Sequence, residues 1–133
     1  RYMICTLSKH EAEKQGYSES LMLDHEGNVA ESTSANIFFK DSNGELHTPI
    51  PDCFLDGITR RTVIDIAKSK NIKVHERKIS PNELPNFVGC FLTGTAAEIT
   101  PVSKIAENNY KVCDLIIDLS SSYGKLVRKK KAA

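Results

Sequence analysis

The chain has 133 residues, 40% of them hydrophobic and 26% charged, which is one domain's worth of ordinary globular sequence with enough apolar side chain for a core. Its 18 basic and 17 acidic residues leave a charge of +1, and with no Trp and 7% aromatics this argues against a nucleic-acid binder, whose affinity comes from phosphate neutralisation or base stacking. No apolar run approaches the roughly 20 residues of a membrane span, no signal peptide opens the chain, and Cys5, Cys53, Cys90 and Cys113 are scattered without metal-ligand spacing to one another or to His10, His25, His47 and His75, a pattern expected of reduced cysteines in a metal-free cytoplasmic protein.

In chain order, residues 3–15 read as a helix, with Met3, Leu7 and His10 sharing a face and Gly16 at the C-terminal cap. Leu21-Met22-Leu23 is a short apolar run, and turn formers 24–28 separate it from a strand at 29–31. Asn36-Ile37-Phe38-Phe39 follows, then the turn Asp41-Ser42-Asn43-Gly44 and a return strand from Leu46 and His47, which together suggest a β-meander. The clearest helix spans 57–70, with Thr59, Val63, Ile66 and Ala67 on one face and Arg60, Arg61, Asp65 and Lys68 elsewhere. A strand at Ile72, Val74 and His75 comes next, then a helix start at Ser80-Pro81. Cys90-Phe91-Leu92 reads as a buried strand running into Thr93-Gly94-Thr95, and 99–105 as a further extended stretch. The last helix runs over about 113–127, followed by a basic tail that reads as a solvated, frayed terminus. The whole is mixed α/β, one domain over 1–133, without repeats or linkers.

Pattern alone marks three places for chemistry. Gly57-Ile58-Thr59-Arg60 is a glycine turn opening a helix, where unpaired amides and the helix dipole favour an anion. Thr93-Gly94-Thr95-Ala96-Ala97 leaves an apolar strand with side chains small enough for a ligand to approach the backbone. Neither is a Walker motif, and by pattern alone each reads first as an ordinary turn and only second as an anion site. Glu31 ends an apolar strand; it is either an exposed acid or one that meets a cation the composition does not identify.

Taken in order, these places resemble the fold-type IV family of pyridoxal-phosphate enzymes, and within it the branched-chain amino-acid aminotransferases. The stretches that carry the resemblance are Val29-Ala30-Glu31-Ser32-Thr33-Ser34-Ala35-Asn36-Ile37-Phe38, Leu55-Asp56-Gly57-Ile58-Thr59-Arg60, His75-Glu76-Arg77-Lys78-Ile79 with Glu83-Leu84, and the run from Phe91 through Thr93-Gly94-Thr95-Ala96-Ala97-Glu98 to Val102. The resemblance implies the family's larger C-terminal domain, a barrel-like sheet flanked by helices, and usually a homodimer. It implies pyridoxal 5'-phosphate as cofactor and an amino acid and a 2-oxo acid as small-molecule partners, with the amino group of leucine, isoleucine or valine passing to 2-oxoglutarate in amino-acid biosynthesis.

It also implies roles. Tyr2 matches the tyrosine on the cofactor's phenolic oxygen, Glu31 the acid at the pyridine nitrogen, and Leu55 the residue packed on the ring. The amide of Ile58 and the hydroxyl of Thr59 match phosphate ligands, as does Thr95, and the amides around Thr95 and Ala96 match the site for the substrate's α-carboxylate. The family's Schiff-base lysine lies five residues before the tyrosine that Tyr2 matches, ahead of Arg1. Lys14, before Gly16-Tyr17, has the wrong spacing to replace it. The family's N-terminal domain, with its phosphate-binding arginine, likewise has no counterpart in this sequence. These 133 residues by themselves are therefore expected to hold cofactor without turnover. Rival readings are a D-amino-acid aminotransferase or aminodeoxychorismate lyase on the same fold, and a non-catalytic interaction or dimerisation module.

Overall fold

A computed structural model describes residues 3–6, 19–23, 29–32, 36–50, 57–94, 98–105, 108–111 and 114–132. Its strands are β1 (Met3–Thr6), β2 (Glu19–Leu23), β3 (Val29–Ser32), β4 (Asn36–Lys40), β5 (Leu46–Thr48), β6 (Val74–Glu76), β7 (Gly89–Gly94), β8 (Glu98–Ile105) and β9 (Asn108–Asn109). Helix α1 (Ile58–Ser69) lies between β5 and β6, a 3-10 helix (Pro81–Asn86) between β6 and β7, and α2 (Asp114–Ala132) follows β9. The strands form one sheet in the order β3-β2-β1-β8-β7-β4-β5-β6, with β9 paired to β8.

The sheet is mixed. β1 pairs in parallel with β2 and β8, and β5 with β6, while β2–β3, β4–β5, β4–β7 and β7–β8 are antiparallel. The expected barrel-like sheet is flanked by helices as anticipated, but among the described residues it does not close. Its two ends meet only through an isolated bridge, where the Val29 amide donates to the Ile79 carbonyl at 2.7 Å.

Several local expectations change. Residues 3–6 form a strand, not the start of a helix: the i, i+4 spacing of Met3 and Leu7 is a weak signal, and two flanking strands satisfy the backbone of Ile4 and its neighbours instead. Residues 7–16 and 24–28 lie outside the described residues. β4 pairs with β7, not β3, so there are two separate hairpins and no meander. The segment at Pro81 is a 3-10 helix; Ser80 Oγ accepts from the Asn82 amide at 3.3 Å, and Glu83 Oε2 from the Ser80 amide at 2.9 Å. Helix α2 continues through the basic stretch to Ala132, where a frayed tail was expected.

The core has two layers, set by the period-two alternation of the central strands. Ile37, Phe39, Cys90 and Leu92 face one way, joined by Ile79, Leu84, Phe87 and Tyr110. Phe38, Leu46 and Phe91 face the other, under Val63, Ile64 and Ala67 of α1 and Ile116 and Leu119 of α2. Val102 and Ile105 both join the first layer although three residues apart. The β1–β8 register slips there, with Met3 opposite Val102 but Ile4 opposite Lys104, and the extra residue resets the alternation. Among the described residues no helix is long and apolar enough to cross a membrane.

Candidate functional site

β4 and β7 run side by side with Phe38 opposite Phe91 and Asn36 opposite Thr93. The two phenyl rings stack at 5.0 Å, facing the helices. Two residues further along, alternation brings Asn36 and Thr93 to the same face, so the apolar layer ends in a buried polar pair.

Helix α1 starts at this end of the strands. A Cβ on Gly57 would lie 2.7 Å from Asn36 Oδ1, closer than any side chain tolerates, so glycine is what lets the helix start approach the strand. Gly57 at the N-cap of α1 has no side chain to cap it, and no acidic residue stands in the helix's first turn. The first amides of a helix have no intrahelical acceptor, and the dipole makes that end positive. The Ile58 side chain is 84% exposed, so what Ile58 offers this end is its backbone. Thr59 is buried, and its Oγ1 lies 3.4 Å from the Tyr123 hydroxyl of α2, either group being able to donate.

Thr93 Oγ1 is fully buried and has no hydrogen-bond partner among the described residues. Leaving a buried hydroxyl unsatisfied costs about 1–3 kcal/mol. An anion oxygen would accept from it. A helix start with a glycine that permits close approach and an unsatisfied hydroxyl on the neighbouring strand make a set of donors with no acid among the described residues that form it. That set suits a phosphate.

Of the residues picked from sequence, Ile58 and Thr59 come to this end of the β4–β7 pair. Glu31 lies in β3, opposite Met22. Tyr2, Leu55, Thr95 and Ala96 lie outside the described residues, although β7 ends at Gly94, directly before Thr95. Sequence reasoning gave no separate role to Asn36, Thr93 or Tyr123. For the first two the signal was available: each sits two positions from a phenylalanine of the helix-facing layer. Arg60 was placed away from the buried face of α1. It is fully buried and Ile64 is nearly so, while Ile66 is only partly covered. A charged residue is read as exposed from sequence unless its acceptors are known, and Arg60 finds acceptors at Pro49, just past β5, and at Glu76 of β6.

A second polar assembly occupies the opposite face of β5 and β6. Parallel pairing sets His47 beside His75, and their rings stack at 4.7 Å. Arg77 Nε–H donates to His47 Nδ1 at 3.1 Å, so the ring proton sits on Nε2, which donates to Asp41 Oδ2 at 2.7 Å. Arg77 also grips Glu83 with both terminal nitrogens, at 2.6 and 3.2 Å. His75 bonds Glu45 Oε1 at 2.8 Å. Burial pushes the Asp41 carboxyl up, but hydrogen bonds from His47 and from the Glu45 and Asn43 amides outweigh it and hold the group below its ordinary value. The Arg77 hydrogen bonds, with the Ser80 amide, lower Glu83 against the opposing effect of burial.

The described residues thus form an open, mixed α/β sheet with a helix start set over a polar strand end. The chain belongs to the amino-transferase class IV family, whose profile matches residues 1–105. It is 42% identical over 134 residues to a probable branched-chain-amino-acid aminotransferase of Rickettsia bellii, covering 96% of this chain and 45% of that protein. Among solved structures it is similar to the branched-chain aminotransferase of Thermoproteus uzoniensis with norvaline, at 30% identity and TM-score 0.89, covering 96% of this chain and 52% of that one. It is also similar to the T.th. branched-chain amino acid aminotransferase complexed with N-(5'-phosphopyridoxyl)-L-glutamate, at 36% identity and TM-score 0.84, covering 91% and 42%. The chain thus spans about half the length of the curated relatives it matches.

Proposed function

We propose that this chain is the cofactor-holding part of a pyridoxal-phosphate aminotransferase that moves the amino group of leucine, isoleucine or valine to 2-oxoglutarate. The observation that carries the reading is the acid-free donor set at Gly57–Thr59 and Thr93, in a chain that belongs to the class IV family. The phosphopyridoxyl-glutamate adduct of the T.th. relative supports a cofactor of this kind and glutamate as the amino-bearing partner.

When bound, the cofactor supplies an electron-accepting ring that stabilises a carbanion. The chain's residues then divide the work. The Ile58 amide and the Thr59 and Thr95 hydroxyls hold the phosphate. Glu31 keeps a proton on the pyridine nitrogen, because a carboxylate beside that nitrogen favours its protonated form. Tyr2 donates to the phenolic oxygen and Leu55 packs on the ring. Amides around Thr95 and Ala96 take the α-carboxylate of the substrate. Residues 1–133 act as one domain, in a cytoplasmic homodimer.

The test is transamination by the polypeptide extended with the residues its relatives carry ahead of Arg1. Leucine and 2-oxoglutarate should be turned over in preference to D-alanine or aminodeoxychorismate. A preference for either of the latter replaces the substrate assignment. The 133 residues alone should show no turnover; measurable activity there overturns the placement of the lysine.

A further inference from the structure

Arg60 is the largest fully buried side chain among the described residues, and it follows Thr59 directly in the first turn of α1. Its Nη2 donates to the Pro49 carbonyl at 3.0 Å and to Glu76 Oε1 at 2.8 Å. Pro49 is where the chain leaves β5, and Glu76 ends β6. One guanidinium therefore ties the helix start to two strands. The pair is lopsided: the arginine side chain is wholly covered, while Glu76 is 45% exposed.

Two facts make this an unusual place for a cation. Burying a charge carries a desolvation penalty of several kcal/mol, offset only by good partners. The first turn is also the end of a helix where the dipole disfavours positive charge. Helix capping is thus no explanation for Arg60. It holds α1 from the sheet side, and this helix has no side-chain cap on its outer end. A helix start fixed from behind keeps its leading amides available for a ligand and still in register with Asn36 and Thr93.

We propose that Arg60, with Glu76 as its partner, is a positioning residue for the cofactor phosphate: it fixes where the amide of Ile58 and the hydroxyl of Thr59 stand without touching the phosphate itself. This rests on the reading of α1's start as the phosphate site. Arginine suits the task because the two hydrogens of its planar Nη2 point to the two acceptors at fixed angles, which a freely rotating lysine ammonium does not hold.

The experiment compares pyridoxal 5'-phosphate with pyridoxal, which lacks the phosphate, on the full-length apoprotein, by equilibrium titration. Wild type should prefer the phosphate ester, and Thr59→Val should reduce that preference. Arg60→Met should weaken pyridoxal 5'-phosphate about tenfold to a hundredfold, the range for losing charged hydrogen bonds, with pyridoxal nearly unchanged. Arg60→Lys should fall between, and Glu76→Gln, which keeps an acceptor oxygen, should lose less than Arg60→Met. If Arg60→Met does not fold, Arg60→Lys carries the test on the same ratio. Equal loss of both ligands, or an unchanged ratio, overturns the positioning role. If Thr59→Val lowers the ratio and the Arg60 variants do not, this inference alone fails. If wild type shows no preference and Thr59→Val changes nothing, the phosphate site itself is wrong and the inference goes with it.

Discussion

The two faces of the β4–β7 and β5–β6 pairs carry polar groups of opposite kinds. On the face with His47, donors and acceptors interlock: Asp41 accepts from His47 and two amides, His47 accepts from Arg77, and Arg77 donates to Glu83. On the helix-facing side the Thr93 hydroxyl has no partner among the described residues, and α1 begins without a side-chain cap. A satisfied network stabilises the fold and has little left for a ligand. An unsatisfied set destabilises the fold and becomes favourable only when something fills it.

Substitution at Gly57 should break this contrast most strongly. In Gly57→Val the new Cβ meets Asn36 Oδ1 at 2.7 Å, so the buried Asn36 carboxamide must turn away or the helix start must shift. Overpacking of this kind costs about 1–3 kcal/mol. Chemical denaturation should show that loss, together with loss of the preference for pyridoxal 5'-phosphate over pyridoxal.

A crossed pair of variants sharpens the contrast further. Arg77→Met removes the centre of the satisfied network and should lower stability by about 1 kcal/mol, modest because Arg77 and Glu83 are each about a third exposed and solvent screens them. Cofactor affinity should not change. Thr93→Val should do the reverse: a near-isosteric swap that removes an unsatisfied hydroxyl leaves stability equal or up to about 1 kcal/mol higher. Cofactor affinity should fall. If both variants moved stability and affinity together, the division between the two faces would be lost.

How far the sequence carried this division follows from which forces are local. Helix α1 was legible within a residue at each end because its apolar period is strong. The apolar strands β4, β7 and β8 were legible for the same reason. Residues 3–6 were not, since strand pairing with β2 and β8 outweighs a helical spacing of two residues. Ile58 and Thr59 stood out through the glycine before them. Arg60 did not, because burial of a cation depends on Pro49 and Glu76, which sequence does not place beside it. The stacking of His47 on His75 was equally hidden: far apart in the chain, they meet only through the parallel register of β5 and β6.

The smallest effect lies in the acid limb of the stability curve. Glu83 is held below its ordinary value of 4.5, with the Arg77 hydrogen bonds the largest cause. A carboxylate lowered in the folded state binds fewer protons than in the unfolded one. Its contribution is complete above the ordinary value and drains away as the pH falls from there through the lowered one. Asp41 behaves the same way, starting from 3.8. Wild type should therefore lose stability progressively below about pH 5. Glu83→Gln has no such proton to gain. At neutral pH it should be less stable by under about 1 kcal/mol, as expected for a partly exposed ion pair. The gap to wild type should narrow as the pH drops through the carboxylate range, leaving Asp41 to supply most of the acid sensitivity that remains in this network. Urea midpoints across that range measure the gap directly. A constant difference at every pH would mean that Glu83 acts through its shape and its hold on the Ser80 amide, and that its charge contributes nothing to the network.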